Sequence, residues 1–169
     1  ICSTGLRISD IYKLKPHHIS EKYITITTQK TETKCEIPLN EFSREVISRF
    51  KPFTKARKTI SHDIKKIAEL AGLNREVELR DERGNRKTKK IVTKIEAKKI
   101  HEVISPHDGR KTFISISLNL GVQKTFVDAI VGHANSAVDA AYIQSHLKPM
   151  YNRINEVWNR KRFFDEGEW

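Results

Sequence analysis

Cysteine is scarce in this chain of 169 residues: Cys2 and Cys35 are the only two, and no CxxC spacing exists. That excludes a disulfide scaffold and a cysteine-held zinc site, and it fits a reducing compartment. Glycine (7) and proline (5) are few, and neither low-complexity tracts nor internal repeats occur. No stretch reaches the ~18 apolar residues that a membrane helix needs, so no membrane partner is expected. A GxxxxGKS/T phosphate loop is missing, which removes the usual signature of nucleotide hydrolysis. The chain opens on Ile1 rather than Met and without a signal peptide, and is therefore expected to be a piece of a longer protein.

Acid is the other deficit. Asp and Glu number 21 against 32 Lys and Arg, a formal net charge of +11. The excess is local: residues 51–100 hold 16 basic and 7 acidic residues, so a net +9 lies there and +2 elsewhere. Such an excess points to a polyanion, most often nucleic acid, although the plainer reading of a basic run is a solvated face. With 37% hydrophobic and 31% charged residues the chain is globular, and its length suits one domain.

Periodicity supplies the organisation. Ile8, Ile11 and Leu14 share a helical face that Pro16 ends. Residues 23–28 and 34–39 read as two strands around a polar turn, with Pro38 at a strand end. Asn40 can cap a helix carrying Phe42, Val46, Ile47 and Phe50, and a second helix through Ile60, Ile64, Ile67 and Leu70 stops at Gly72. Residues 75–95 read as a protruding basic β-hairpin with Gly84-Asn85 at its tip. Helices then run from Arg110 to Leu120 and from Gln123 to Val131, closed by Gly121 and Gly132, and Ser136 opens a third. Met150, Ile154, Val157 and Trp158 form an apolar stripe on a tail that packs either on its own core or on a neighbouring protomer.

Several residues able to do chemistry sit at the ends of these elements. Arg7 stands at a helix entry, where backbone N–H groups also favour an anion. His107 and Arg110 are three apart and share a face, His133 follows the Gly132 stop, and Tyr142 lies nine residues later. Each taken alone has a plainer reading as a cap, a core residue or a solvated side chain. Their order is more specific. Thr-Gly-Leu-Arg-Ile-Ser-Asp at 4–10, Gln-Lys-Thr at 29–31, Ser-Pro-His-x-x-Arg-Lys-Thr-Phe at 105–113 and Gly-His with Tyr nine residues on, at 132–142, follow one another along most of the chain.

In that order and spacing the chain resembles the tyrosine recombinases, the phage- and transposon-integrase family. Asp10 stands where the family usually has Glu, Gly109 and Lys111 flank the second Arg, and Val131 replaces a common Leu. The resemblance implies an α+β, mainly α, catalytic domain over residues 1–169, with a small antiparallel sheet and the 75–95 hairpin as an addition. It implies a catalytic set of Arg7, Lys30, His107, Arg110, His133 and Tyr142, with Lys34 as an alternative to Lys30. It also implies an N-terminal core-binding domain outside this chain, double-stranded DNA as partner, a tetramer on DNA with a monomer alone, and a bacterial cytoplasmic setting.

The implied reaction needs no metal and no other cofactor. Two guanidiniums grip the non-bridging oxygens of a phosphodiester, and His133 donates a third hydrogen bond. Tyr142 attacks as nucleophile, His107 receives its proton, and Lys30 protonates the leaving 5′-oxygen. Arg86, Lys87, Lys89 and Lys90 in the hairpin are expected to track the DNA backbone. Three rivals remain: a DNA-binding module without chemistry, since 112–131 also reads as a helix-turn-helix, a type IB topoisomerase, which shares the tyrosyl chemistry, and a degenerate copy retained for binding, against which all six groups are present.

Overall fold

Two segments that alternate inward and outward, the first of them rich in β-branched residues, build the first sheet. A computed structural model describes residues 1–30, 32–49, 57–84, 91–133 and 147–159. In it, β1 (Tyr23–Thr27) pairs antiparallel with β2 (Lys34–Pro38), in a register that sets Ile24 against Ile37 and Ile26 against Cys35. All four of those side chains are buried, so one face of the hairpin belongs to the core and the other carries polar groups. Pro38 closes the ladder opposite Tyr23, at the strand end where its missing N–H does least harm.

Helices follow from caps as much as from apolar spacing. α1 (Ile8–Ile11) is a single turn, shorter than its apolar spacing suggests, and Pro16–His18 forms a 3-10 turn after it. α2 (Glu41–Arg49) starts where Asn40 Oδ1 accepts from the Ser43 N–H at 2.9 Å. α5 (Pro106–Asn119) begins four residues before the expected Arg110, with proline at its first position. α5 and α6 (Lys124–Val131) both end in left-handed glycines, with Val122 N–H donating to Ser117 O and His133 N–H to Asp128 O across them. α7 (Leu147–Val157) follows, and residues 134–146, with the third helix expected from Ser136, lie outside the described residues.

The chain divides into two units, one of Ile1–Thr54 with His107–Trp169 and one of Lys55–Pro106. The first is centred on Leu6, the inward face of β1 and β2, Phe113, and the apolar sides of α6 and α7. Phe113 and Trp158 stack with ring centroids 5.3 Å apart, and Trp158 Nε1 donates to Ser117 Oγ at 2.9 Å. The tail thus packs on its own core through Trp158: Met150, Ile154, Val157 and Trp158 are all buried.

In the second unit, α3 (Arg57–Leu70) ends at Gly72 and packs with α4 (Ile100–Val103). Between them β3 (Glu76–Gly84) and β4 (Ile91–Lys99) pair antiparallel in register from Glu76 with Lys99 to Gly84 with Ile91. The hairpin therefore extends to Lys99, four residues past the boundary expected from sequence; α4 then begins with Glu102 accepting from the Lys99 N–H at 2.7 Å. Among the described residues no helix is long and apolar enough to cross a membrane.

Trp158→Ala removes the Phe113 stack and the Ser117 hydrogen bond from a buried site. It is expected to cost the ~3–5 kcal/mol of a large aromatic truncation. Urea unfolding followed by tryptophan fluorescence and circular dichroism checks this, with the midpoint falling and the slope unchanged.

Candidate active site

A buried guanidinium organises the site. Arg110, in the second turn of α5, is 2% exposed. Its Nη1 donates to Gly5 O at 2.7 Å, its Nη2 to Val131 O at 2.5 Å, and Nη2 also meets His133 Nε2 at 3.0 Å. One side chain thereby joins the loop before α1, the end of α6 and the residue beyond its Gly132 cap. Burial, and then the like charge of Arg7, lower its pKa to about 10, which leaves it a cation at neutral pH.

The Thr-Gly-Leu-Arg box has a steric reason for its glycine. Gly5 has φ +65°, and a Cβ there would lie 2.7 Å from Phe113 Cδ1 and 2.8 Å from Val131 Cγ1. Only glycine lets this backbone pass close enough for its carbonyl to reach Arg110. Arg7 then caps α1 with extended backbone. Its Nη1 lies 4.0 Å from Asp10 Oδ2, and neither atom has a hydrogen-bond partner among the described residues. Asp10 is fully buried, and its Oδ1 accepts from the backbone N–H of Gln29 at 2.9 Å.

That last bond ties the β1–β2 turn to Arg7. Lys30, the next residue, is exposed in the turn, whereas Lys34 lies on β2 and pairs with Glu36 at 3.5 Å. The same hairpin supports His133: a Cβ on Gly132, at φ +71°, would meet Cys35 Sγ at 2.9 Å and Thr28 Cγ2 at 3.2 Å. Cys35 is a buried thiol, pushed up to about 11 by burial and by Asp10 against the pull of Arg110 and Arg7.

His133 is half exposed, and its Nδ1 lies 3.9 Å from Asp128 Oδ1. Its pKa is lowered, first by burial and then by Arg110 and Arg7, with Asp128 acting the other way and Lys124 adding to the lowering. His107 sits exposed in the first turn of α5, one turn before Arg110, and its side chain makes no hydrogen bond among the described residues. The structure thus gathers Arg7, Arg110 and His133, and it links the Lys30 turn to them through Asp10. Tyr142 and the hairpin residues Arg86, Lys87, Lys89 and Lys90 lie outside the described residues.

Sequence reasoning missed Asp128 and Lys124, which pair with each other beside His133. Their spacing of four on a helix that Gly132 closes was the available signal: such a closure folds the residue after glycine back toward the third-last turn position. Two guanidiniums and an imidazole thus lie together, with the buried Asp10 carboxylate beside Arg7.

The model of the phage integrase family matches residues 1–148, and the chain belongs to that family. The tyrosine recombinase XerC of Pelotomaculum thermopropionicum is 28% identical over 155 residues, 88% of this chain and 49% of that protein. The tyrosine recombinase XerC of Anoxybacillus flavithermus is 24% identical over 153 residues, 88% of this chain and 50% of that protein. The chain spans about half the length of these curated relatives. No solved structure gives a significant match.

Gly5→Ala tests how the site is built. The left-handed backbone costs an L-residue ~1–2 kcal/mol, and the clash with Phe113 and Val131 adds overpacking of ~1–3 kcal/mol. A combined loss of ~2–5 kcal/mol is expected in urea unfolding.

Proposed function

We propose that this chain is the catalytic part of a site-specific DNA recombinase, which breaks and rejoins strands through a 3′-phosphotyrosyl link to Tyr142 without metal or ATP. The observation that carries this reading is the convergence of Arg7, Arg110 and His133 in a member of the phage integrase family. Arg7 Nη1 is buried and has no hydrogen-bond partner among the described residues, which suits a non-bridging phosphate oxygen. Arg110 has two N–H groups committed to carbonyls, so it acts as a fixed cation beside Arg7 and His133.

In the cleavage step the Tyr142 oxygen attacks phosphorus, the phenol proton passes to His107, and the 5′-oxygen leaves with a proton from Lys30. Lys30 suits that role better than Lys34, because Lys34 is held by Glu36 while Lys30 forms no ion pair among the described residues. Religation reverses the step with a new 5′-hydroxyl, so the bond energy is retained in the covalent intermediate. The working assembly is a tetramer on DNA that acts in the bacterial cytoplasm. A core-binding domain outside this chain closes the other side of the duplex.

A DNA-binding module without chemistry would account for the charge. It would leave unexplained why a buried Asp10 aligns Arg7 with the turn that carries Lys30. A type IB topoisomerase would relax supercoils; the recombinase reading expects strands to be exchanged between duplexes.

A duplex nicked near the cleavage position traps the intermediate. The wild type is expected to form a protein–DNA adduct that survives denaturant with chelator present, and Tyr142→Phe to form none. An adduct in the Phe variant removes Tyr142 as nucleophile, and a strict Mg²⁺ requirement removes the metal-free mechanism.

Binding through the hairpin is separable from chemistry. Each phosphate neutralised contributes about 0.9 to the slope of log affinity against log salt. Reversing Lys87, Lys89 and Lys90 is expected to flatten that slope in a fluorescence-anisotropy titration while adduct formation at saturating DNA persists. An unchanged slope makes the basic block a solvated face.

A further inference from the structure

The contact between Arg110 and His133 places a proton. A guanidinium has five N–H donors and no acceptor, so His133 Nε2, 3.0 Å from Arg110 Nη2, must offer its lone pair. The ring proton of the neutral imidazole then sits on Nδ1, which faces Asp128 Oδ1 at 3.9 Å. The backbone preserves this facing, because His133 N–H donates to Asp128 O at 2.7 Å across the Gly132 turn. From its other oxygen Asp128 pairs with Lys124, one turn earlier on α6.

We propose that Asp128 is a positioning residue: acting through the His133 ring, it keeps the proton on Nδ1 and readies Nε2 to become a donor when a phosphate takes over Arg110. The second half of this assignment rests on the recombinase reading; the first concerns the free protein alone. Without an anion, Nε2 is engaged as an acceptor and has no proton to donate. A phosphoryl oxygen beside Arg7 and Arg110 offsets their charge, and Nε2 then takes one proton from solvent. The imidazolium so formed donates Nε2–H to that oxygen and Nδ1–H toward Asp128, and it returns the proton when the phosphate leaves.

The groups around the ring act with opposite signs. Arg110 from α5, Arg7 from the loop before α1, and Lys124 from α6 oppose protonation; among the described residues Asp128 favours it. Burial also opposes it, and Cys35, packed beneath Gly132, stays a neutral thiol because its pKa is raised to about 11. His133 in the free protein accordingly titrates below the ordinary histidine value, and the neutral form that Arg110 requires is the one present at neutral pH.

Two measurements on the full chain test this. The first is ¹⁵N-edited NMR of the histidine rings, with the His133 signals identified by their loss in His133→Gln. The wild type is expected to show the Nδ1–H tautomer. Asp128→Asn should move the His133 titration further down, Lys124→Ala should move it up, and Asp128→Glu should restore the wild-type value. The second is single-turnover adduct formation on the nicked duplex across pH. Because the donor form is the imidazolium, the rate falls as pH rises through the His133 titration in the complex. Asp128→Asn should bring that fall to lower pH and Lys124→Ala to higher pH, with the rates converging at the acid end. An Nε2–H tautomer in the free protein overturns the proposal, and so does an Asp128→Asn loss that is equal at every pH. If the wild type forms no adduct at any pH, the recombinase reading fails, while the tautomer and the titration shifts still decide the role of Asp128.

Discussion

Burying one arginine is the constraint from which the site follows. A guanidinium removed from water costs several kcal/mol unless its donors are matched. Arg110 is matched by two backbone carbonyls, Gly5 O and Val131 O, and by an imidazole nitrogen. Those acceptors come from both of the sequence segments that make up the first unit, so the side chain ties the two together. Replacing it with a small residue would strand two carbonyls as well as remove a charge, so the group proposed to act on the phosphate also holds the structure together. Gly5 and Gly132 have no side chain because the segments that carry these partners lie too close to Phe113, Val131 and Cys35 to admit one.

The β1–β2 hairpin spreads that order to the remaining groups. At its turn, the Gln29 N–H fixes the Asp10 carboxylate that faces Arg7. On its inner face, Thr28 and Cys35 support the glycine from which His133 emerges. Four groups of the proposed mechanism, Arg7, Lys30, Arg110 and His133, thus depend on a two-stranded element of modest size. Its stability comes from packing Ile24, Ile26 and Ile37 into the core, since an isolated hairpin is marginal in water.

Much of this was legible in the amino-acid order, and the reasons are local. Gly72, Gly121 and Gly132 end helices through backbone geometry that only glycine takes readily, and Asn40 starts one with its own side chain. Strand alternation at 23–28 and 34–39 located the first sheet to within a residue. The family boxes named Arg7, Arg110 and His133, and the structure brings these together. Tertiary effects were not legible. α1 stops after one turn although Leu14 continues its apolar spacing, and β4 runs on to Lys99 because pairing with Glu76 outweighs the weak strand preference of lysine. Asp128 belongs to the same class: nothing in its identity distinguishes it from any helical acid until the Gly132 turn folds His133 back over it.

The first unit is discontinuous in sequence, and this has a consequence for how the protein is made. The bond between Arg110 and Gly5 spans 105 residues, and residues 55–106 are synthesised between the two halves of the core it pins. Closing so long a loop precedes any gain from the contacts it brings, so topology of this kind folds slowly. A chain emerging from the ribosome completes Lys55–Pro106 while Arg7 and Lys30 still lack their counterparts on α5 and α6. The contacts around Arg110 therefore have no half-made form: its acceptors on both sides are present only once translation has passed α6 and His133.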